Sequence, residues 1–136
     1  MMKSKESVKH DHPVEISDEE IVVVRPQESV ETLQKLPYYI GISQTNAGSR
    51  HLSLNLVVIP AGSAAEAHLH NGYETAVYIL KGKVKTRYGE GLKKEMINQA
   101  GDFLFIPPNV PHQPVNLSDS EAAHAIVARN DPNEQE

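Results

Sequence analysis

Apolar and polar residues alternate with a period of two along most of this chain, and glycine or proline closes nearly every run. Ile21-Val22-Val23-Val24 is a β-branched run stopped by Arg25-Pro26, and Tyr38 to Ile42 follows Pro37 as a second strand. The alternation is clearest from His51 to Ile59. There Leu52, Leu54, Leu56 and Val58 share one face, while His51, Ser53 and Asn55 share the other, which Val57 and Ile59 continue. Further strands are predicted over 76–80, 84–88, 92–97, 103–106 and 122–128, set apart by Lys81-Gly82-Lys83, Gly89-Glu90-Gly91 and Pro107-Pro108. The one predicted helix, Glu28 to Leu36, is about two turns long. Short strands punctuated in this way predict an all-β sandwich or barrel. Val77, Ile79, Phe103, Phe105 and Ile126 are candidates for its core, and Lys83, Lys85, Arg87, Lys93 and Lys94 for the outer face of an exposed hairpin.

Composition narrows the class. A chain of 136 residues suits one domain, which buries enough surface to fold without disulfides or structural zinc. Cysteine is absent, which excludes thiol nucleophiles, zinc fingers and iron–sulfur clusters. A net charge of −5 argues against nucleic acid as a partner. No apolar run approaches the roughly 20 residues of a membrane span, and the polar start Met1 to His12 lacks a secretory segment, so the expected location is cytoplasmic. The expected organisation is a flexible arm over 1–18, a single barrel domain over 19–128 and a polar tail over 129–136.

Chemistry is concentrated in the histidines. His68 and His70 are two apart, so on an extended segment both imidazoles project from one face. Neutral imidazoles so placed can share one divalent ion. Glu74 follows a turn at Asn71-Gly72, and His112 comes from the rigid stretch Pro107-Pro108-Asn109-Val110-Pro111. His10-Asp11-His12 has the same His-x-His spacing within the polar arm and is read as solvated. The fourth ligand is open between two residues. A tight two-residue turn at Asn71-Gly72 would put Tyr73 and Thr75 on the histidine face, whereas a bulge or a longer loop would put Glu74 there. Glu74 is favoured because a carboxylate balances the ion's charge.

Two stretches carry a resemblance. Gly62 is followed after five residues by His68, then His70, and after three more by Glu74, with Gly82 closing the run. Gly101 is followed after five residues by Pro107, then Asn109, His112 and Asn116. Together they resemble the two motifs of the cupin superfamily, here in the small single-domain form. Asn109 stands where the second motif usually has glycine, and asparagine tolerates the left-handed backbone this turn needs. The family usually leaves one residue fewer between its glutamate and the closing glycine, so counting back from Gly82 the slot falls on Thr75.

The resemblance implies a jelly-roll β-barrel, or double-stranded β-helix, with a metal inside its open end. It implies one divalent transition metal (Fe, Mn, Ni, Co or Zn) held by His68, His70, Glu74 and His112. Such an ion can polarise a carbonyl, activate water or bring O₂ and an anionic substrate together. The function expected is a small metalloenzyme, of dioxygenase or isomerase type, acting on a small oxygen-rich organic anion. The alternative is a non-catalytic module that binds a metabolite or sugar in the barrel. Partners expected are that small molecule and a second copy in a homodimer, in which Ile21 to Val24 could be exchanged between subunits. Nucleic acid and membrane are not expected.

Overall fold

The computed structural model describes residues 20–26, 30–31 and 37–133. Among them are nine strands: β1 (Val30–Glu31), β2 (Pro37–Ile42), β3 (Ser53–Ile59), β4 (Thr75–Lys81), β5 (Lys83–Tyr88), β6 (Lys94–Gln99), β7 (Phe103–Ile106), β8 (His112–Asn116) and β9 (Ala123–Arg129). They form two antiparallel sheets, one of six strands in the order β1-β2-β3-β9-β4-β7 and one of three in the order β6-β5-β8. Core residues come from both: Ile59, Ile79, Ala123 and Ala125 from the large sheet, Val84 from the small one, with Ala65 between. This is the expected all-β jelly-roll barrel. It is not closed all round, because β6 and β7 end their respective sheets and no ladder joins them.

Several expectations are revised. Residues 20–26 contain no strand, and Ile21 and Val23 are exposed, so the β-branched run has no strand partner among the described residues. Of the predicted helix, Val30 and Glu31 pair with Tyr38 and Pro37 as a strand, and the remainder lies outside the described residues, as do the arm 1–18 and His10-Asp11-His12. The α-helix among the described residues is one turn, α1 (Gln44–Ala47), capped by Ser43, whose hydroxyl accepts from the Asn46 amide while the Asn46 side chain accepts from the Ser43 amide. Arg129, assigned to the polar tail, completes β9 and is buried. Strand β8 is not among the predicted strands, and it contains Pro114. His112 and Asn116 aim their N–H groups away from β5 at residues 63–68, and Pro114 shares their parity, so its missing donor falls outside the β5 ladder.

Parity decides which side chains enter the barrel. On β7, Leu104 and Ile106 stand opposite Val77 and Thr75 and point inward, which leaves Phe103 and Phe105 82% and 61% exposed on the outer face or edge. Ile126 is opposite Leu56 and only partly buried, so three of the five core candidates lie outside the core. On β3 the outcome inverts hydropathy. Ser53 and Asn55 are 0% and 1% exposed, whereas Leu52 and Leu54 on the opposite face are exposed. The buried polar pair is satisfied internally: Asn55 accepts from the Gly41 amide and Ser53 accepts from Arg129 Nε.

Candidate metal centre

His68 and His112 are held opposite each other by a reciprocal backbone pair. The His68 amide donates to the His112 carbonyl at 3.0 Å, and the His112 amide returns a bond to His68 at 2.8 Å. His70 is placed by the loop facing it. Its carbonyl accepts from the Asn109 amide, and the Asn109 side-chain oxygen accepts from the Gly72 amide at 3.0 Å. Asn109 has φ +66, the left-handed backbone expected of it. A glycine there could supply the turn but not the side-chain bond between the two loops. Asn116 anchors the other end of this strand, donating to the carbonyls of Ile59 and Glu121 and accepting from the Ser118 amide.

The three rings converge. Their centroids are 5.2 Å apart for His68 and His70, 4.3 Å for His68 and His112, and 4.7 Å for His70 and His112. One ligand-type nitrogen from each lies within 4.8 Å of the others, so the trio can hold one metal ion. The outer nitrogens are engaged. His68 Nδ1 lies 2.9 Å from the Glu66 carbonyl and His112 Nδ1 lies 2.9 Å from the Val110 carbonyl. A carbonyl only accepts, so both rings carry their proton on Nδ1 and turn the Nε2 lone pair toward the cluster. His70 Nδ1 lies 2.6 Å from the buried Thr75 hydroxyl, which can accept from it in the same way. Tyr73 stacks on the His70 ring at 5.1 Å and an interplanar angle of 11°, fixing its plane.

Glu74 does not join them. Its side chain is exposed and outside the group of converging donors, while its amide donates to Asn130 Oδ1 at 2.8 Å. Tyr73 and Thr75 occupy the histidine face, as a tight turn at Asn71-Gly72 would dictate. Of the other histidines described, His51 is exposed, and His124 lies on β9 in register with Val58, away from the cluster.

Two cavities adjoin the trio and share Thr86, Leu104, Ile106 and His112 in their walls. The inner one, about 100 Å³, is lined by His68, His70, His112 and Thr75 and by apolar side chains such as Val57, Val77 and Leu104. The second, about 470 Å³, opens between β6 and β7 and also reaches His112. Among the described residues, no carboxylate lines either cavity. Lys94, expected on the outer face of the hairpin, lines the second cavity. It lies in register with Tyr88, which is in register with His112, so all three share one row across the small sheet. Lys85, in contrast, stays outside and pairs with Glu95 at 3.8 Å. Sequence reasoning also missed Thr75 as a partner of His70 and the buried Arg129, whose guanidinium carbon lies 5.9 Å from the centre of the Tyr38 ring and 6.0 Å from that of Tyr73.

A family model described as "Cupin domain" matches residues 55–128. No curated protein matches the chain. Among solved structures, the chain is similar to the cupin domain of Schizosaccharomyces pombe Cnp3, with TM-score 0.62 and 16% identity over 76% of this chain and 69% of that one. It is similar to KdgF from Halomonas sp., with TM-score 0.63 and 15% identity over 79% and 87%. It is also similar to the oxalate decarboxylase of Bacillus subtilis, a protein described with Mn(II) centres, with TM-score 0.66 and 24% identity. That match covers 79% of this chain but only 28% of the decarboxylase.

Proposed function

The chain belongs to the cupin family, and from that premise we propose that it binds one divalent transition metal through His68, His70 and His112 and acts as a small metalloenzyme on an oxygen-rich organic anion. The observation that carries this reading is the set of three buried or half-buried imidazoles whose outer nitrogens are all engaged and whose inner nitrogens converge. Surface histidines do not acquire an outer partner each and a common focus. The resemblance to a Mn(II)-containing decarboxylase is one of fold, and it agrees with this reading without selecting a metal.

The missing carboxylate bears on the substrate. Three neutral imidazoles leave a divalent ion its full charge, and among the described residues neither cavity offers a compensating acid. The anion must then come from the ligand, and a chelating carboxylate or 2-oxo acid fits that need. When bound, the metal would supply Lewis-acid polarisation of the substrate or activation of dioxygen. The chain's own part is to fix the three imidazoles through Glu66, Val110 and Thr75, and to keep bulk water from the inner cavity with its apolar wall.

One observation favours a second reading. Among the described residues no carboxylate lines either cavity, so none of them offers a general acid or base of the Asp or Glu type to the site, which suits a module that binds a small acid without transforming it. Metal analysis tests the shared premise. Protein loaded with Mn(II), Fe(II), Co(II), Ni(II) or Zn(II) and then desalted should retain close to one equivalent of at least one of them. In His112→Ala that affinity should fall at least about a hundredfold. Retention of full occupancy by the variant would refute the assignment, and conversion of a bound acid to product, read by mass spectrometry, separates enzyme from binding module.

A further inference from the structure

The inner cavity is too small to hold a substrate's organic body. About 100 Å³ accommodates an ion with a few waters or the head of a ligand, whereas small-molecule sites run to several hundred. The second cavity, at about 470 Å³, has that size and shares Thr86, Leu104, Ile106 and His112 with the first. It exists because β6 and β7 leave the barrel unzipped along one side.

Charge on this wall is sparse and specific. Among the described residues, Lys94 is the only cation lining either cavity, and no acid opposes it there. Residues alternate faces along β6, so Lys94, Met96 and Asn98 project together, and Asn98 is tied inward by the Thr86 hydroxyl at 2.7 Å. Lys94 and His112 are two strands apart in one row through Tyr88, a backbone separation of about 10 Å at the usual strand spacing. The Lys94 ammonium lies over the Tyr88 ring, 6.0 Å from its centre, at the outer limit of a cation–π contact.

Resting on the metal-site reading above, we infer that the substrate enters sideways between β6 and β7 and that Lys94 is a specificity residue, pairing with a second carboxylate remote from the metal-binding head. The ligand class is a dicarboxylic acid with a chelating end, such as a 2-oxo diacid. Met96 and Phe105 supply apolar walls for the carbons between its two ends.

The test compares acids that share a head and differ at the tail. Binding of 2-oxoglutarate and 2-oxoadipate is measured calorimetrically on the Mn(II)-loaded protein against 2-oxopentanoate, which lacks the second carboxylate. The wild-type protein should bind one of the diacids about three- to tenfold more tightly than the monoacid. Lys94→Gln should abolish that preference while leaving metal content and monoacid affinity unchanged. Met96→Trp, which fills the cleft, should weaken all three acids with metal retained. A wild type without preference for either diacid, or a preference that survives in Lys94→Gln, overturns the role of Lys94, and undiminished binding in Met96→Trp overturns the route. A wild type that takes up no metal fails earlier, at the histidine site itself.

Discussion

The two ends of this barrel are built from the same strands and differ in what those strands send inward. Near one end, β3, β4 and β9 contribute Ile59, Ile79, Ala123 and Ala125, which meet Val84 of the small sheet in a purely apolar cluster. Near the other, the same strands contribute Ser53 and Asn55, Thr75 and Arg129, all buried, beside His70 and Tyr73. Ser53, Arg129 and Thr75 even share one row of the large sheet, six residues along β3 from Ile59, or about 20 Å. No described buried side-chain nitrogen or oxygen lacks a hydrogen-bond partner, so the polar end is connected rather than merely tolerated. The division teaches that folding free energy and chemistry are assigned to opposite ends of a single set of strands. The apolar end supplies burial, and the polar end spends stability on orientation.

The largest effect expected from that division is on stability alone. Ile59→Ala removes a buried side chain at the apolar end and should cost about 2–5 kcal/mol, read as a lower denaturation midpoint in urea. Metal affinity of the folded fraction should stay within about threefold, because the Ile59 side chain shares the inner cavity with the histidines but offers their rings no hydrogen-bond partner. A comparable collapse of metal binding in folded Ile59→Ala would show that the two ends are not separable.

The opposite substitution sharpens the comparison from the site. Thr75→Val keeps the volume and removes the hydroxyl 2.6 Å from His70 Nδ1. Metal affinity should fall about tenfold, within the range for losing an outer hydrogen-bond partner of a ligand, while the urea midpoint shifts much less than in Ile59→Ala. Unchanged affinity would mean that Thr75 fills space and does not hold the ring.

How much of this was legible in the sequence follows the same division. The histidine pair could be read from a two-residue spacing on an extended segment, while Asn109 and Asn116 could be read through the resemblance, which placed an αL residue at Asn109. The barrel was legible from alternation. Which face of each strand enters the barrel was not. From sequence, Ser53 and Asn55 could line the cavity or meet solvent, and they are buried because Arg129 and the Gly41 amide arrive from distant strands to satisfy them. Phe103 and Phe105 look like core until the register with β4 turns Leu104 and Ile106 inward. Lys94 looked like its lysine neighbours because the Gly89–Gly91 turn resets parity, with Gly89, Gly91 and Leu92 all at positive φ. Those outcomes depend on partners remote in sequence, which periodicity does not encode.

Glu74 gives the smallest expected effect and the sharpest contrast with the sequence reading. The family motif has a carboxylate after its histidine pair, and electrostatics favour one beside a divalent ion, so Glu74 was the natural fourth ligand. Parity opposes it. Tyr73 stacks on His70 and Thr75 reaches its Nδ1, and the residue between them must point to the other side. The Glu74 amide and carbonyl are both bonded to Asn130, which fixes the strand in that phase. Returning the carboxylate to the site would need a bulge that breaks those bonds and lifts Thr75 off the imidazole. Glu74→Gln should therefore change metal affinity less than about twofold and leave the urea midpoint in place, since an exposed charge with no ion-pair partner contributes little. A hundredfold loss would mean that metal loading rebuilds the 70–75 turn, with Glu74 and not Thr75 facing the ion.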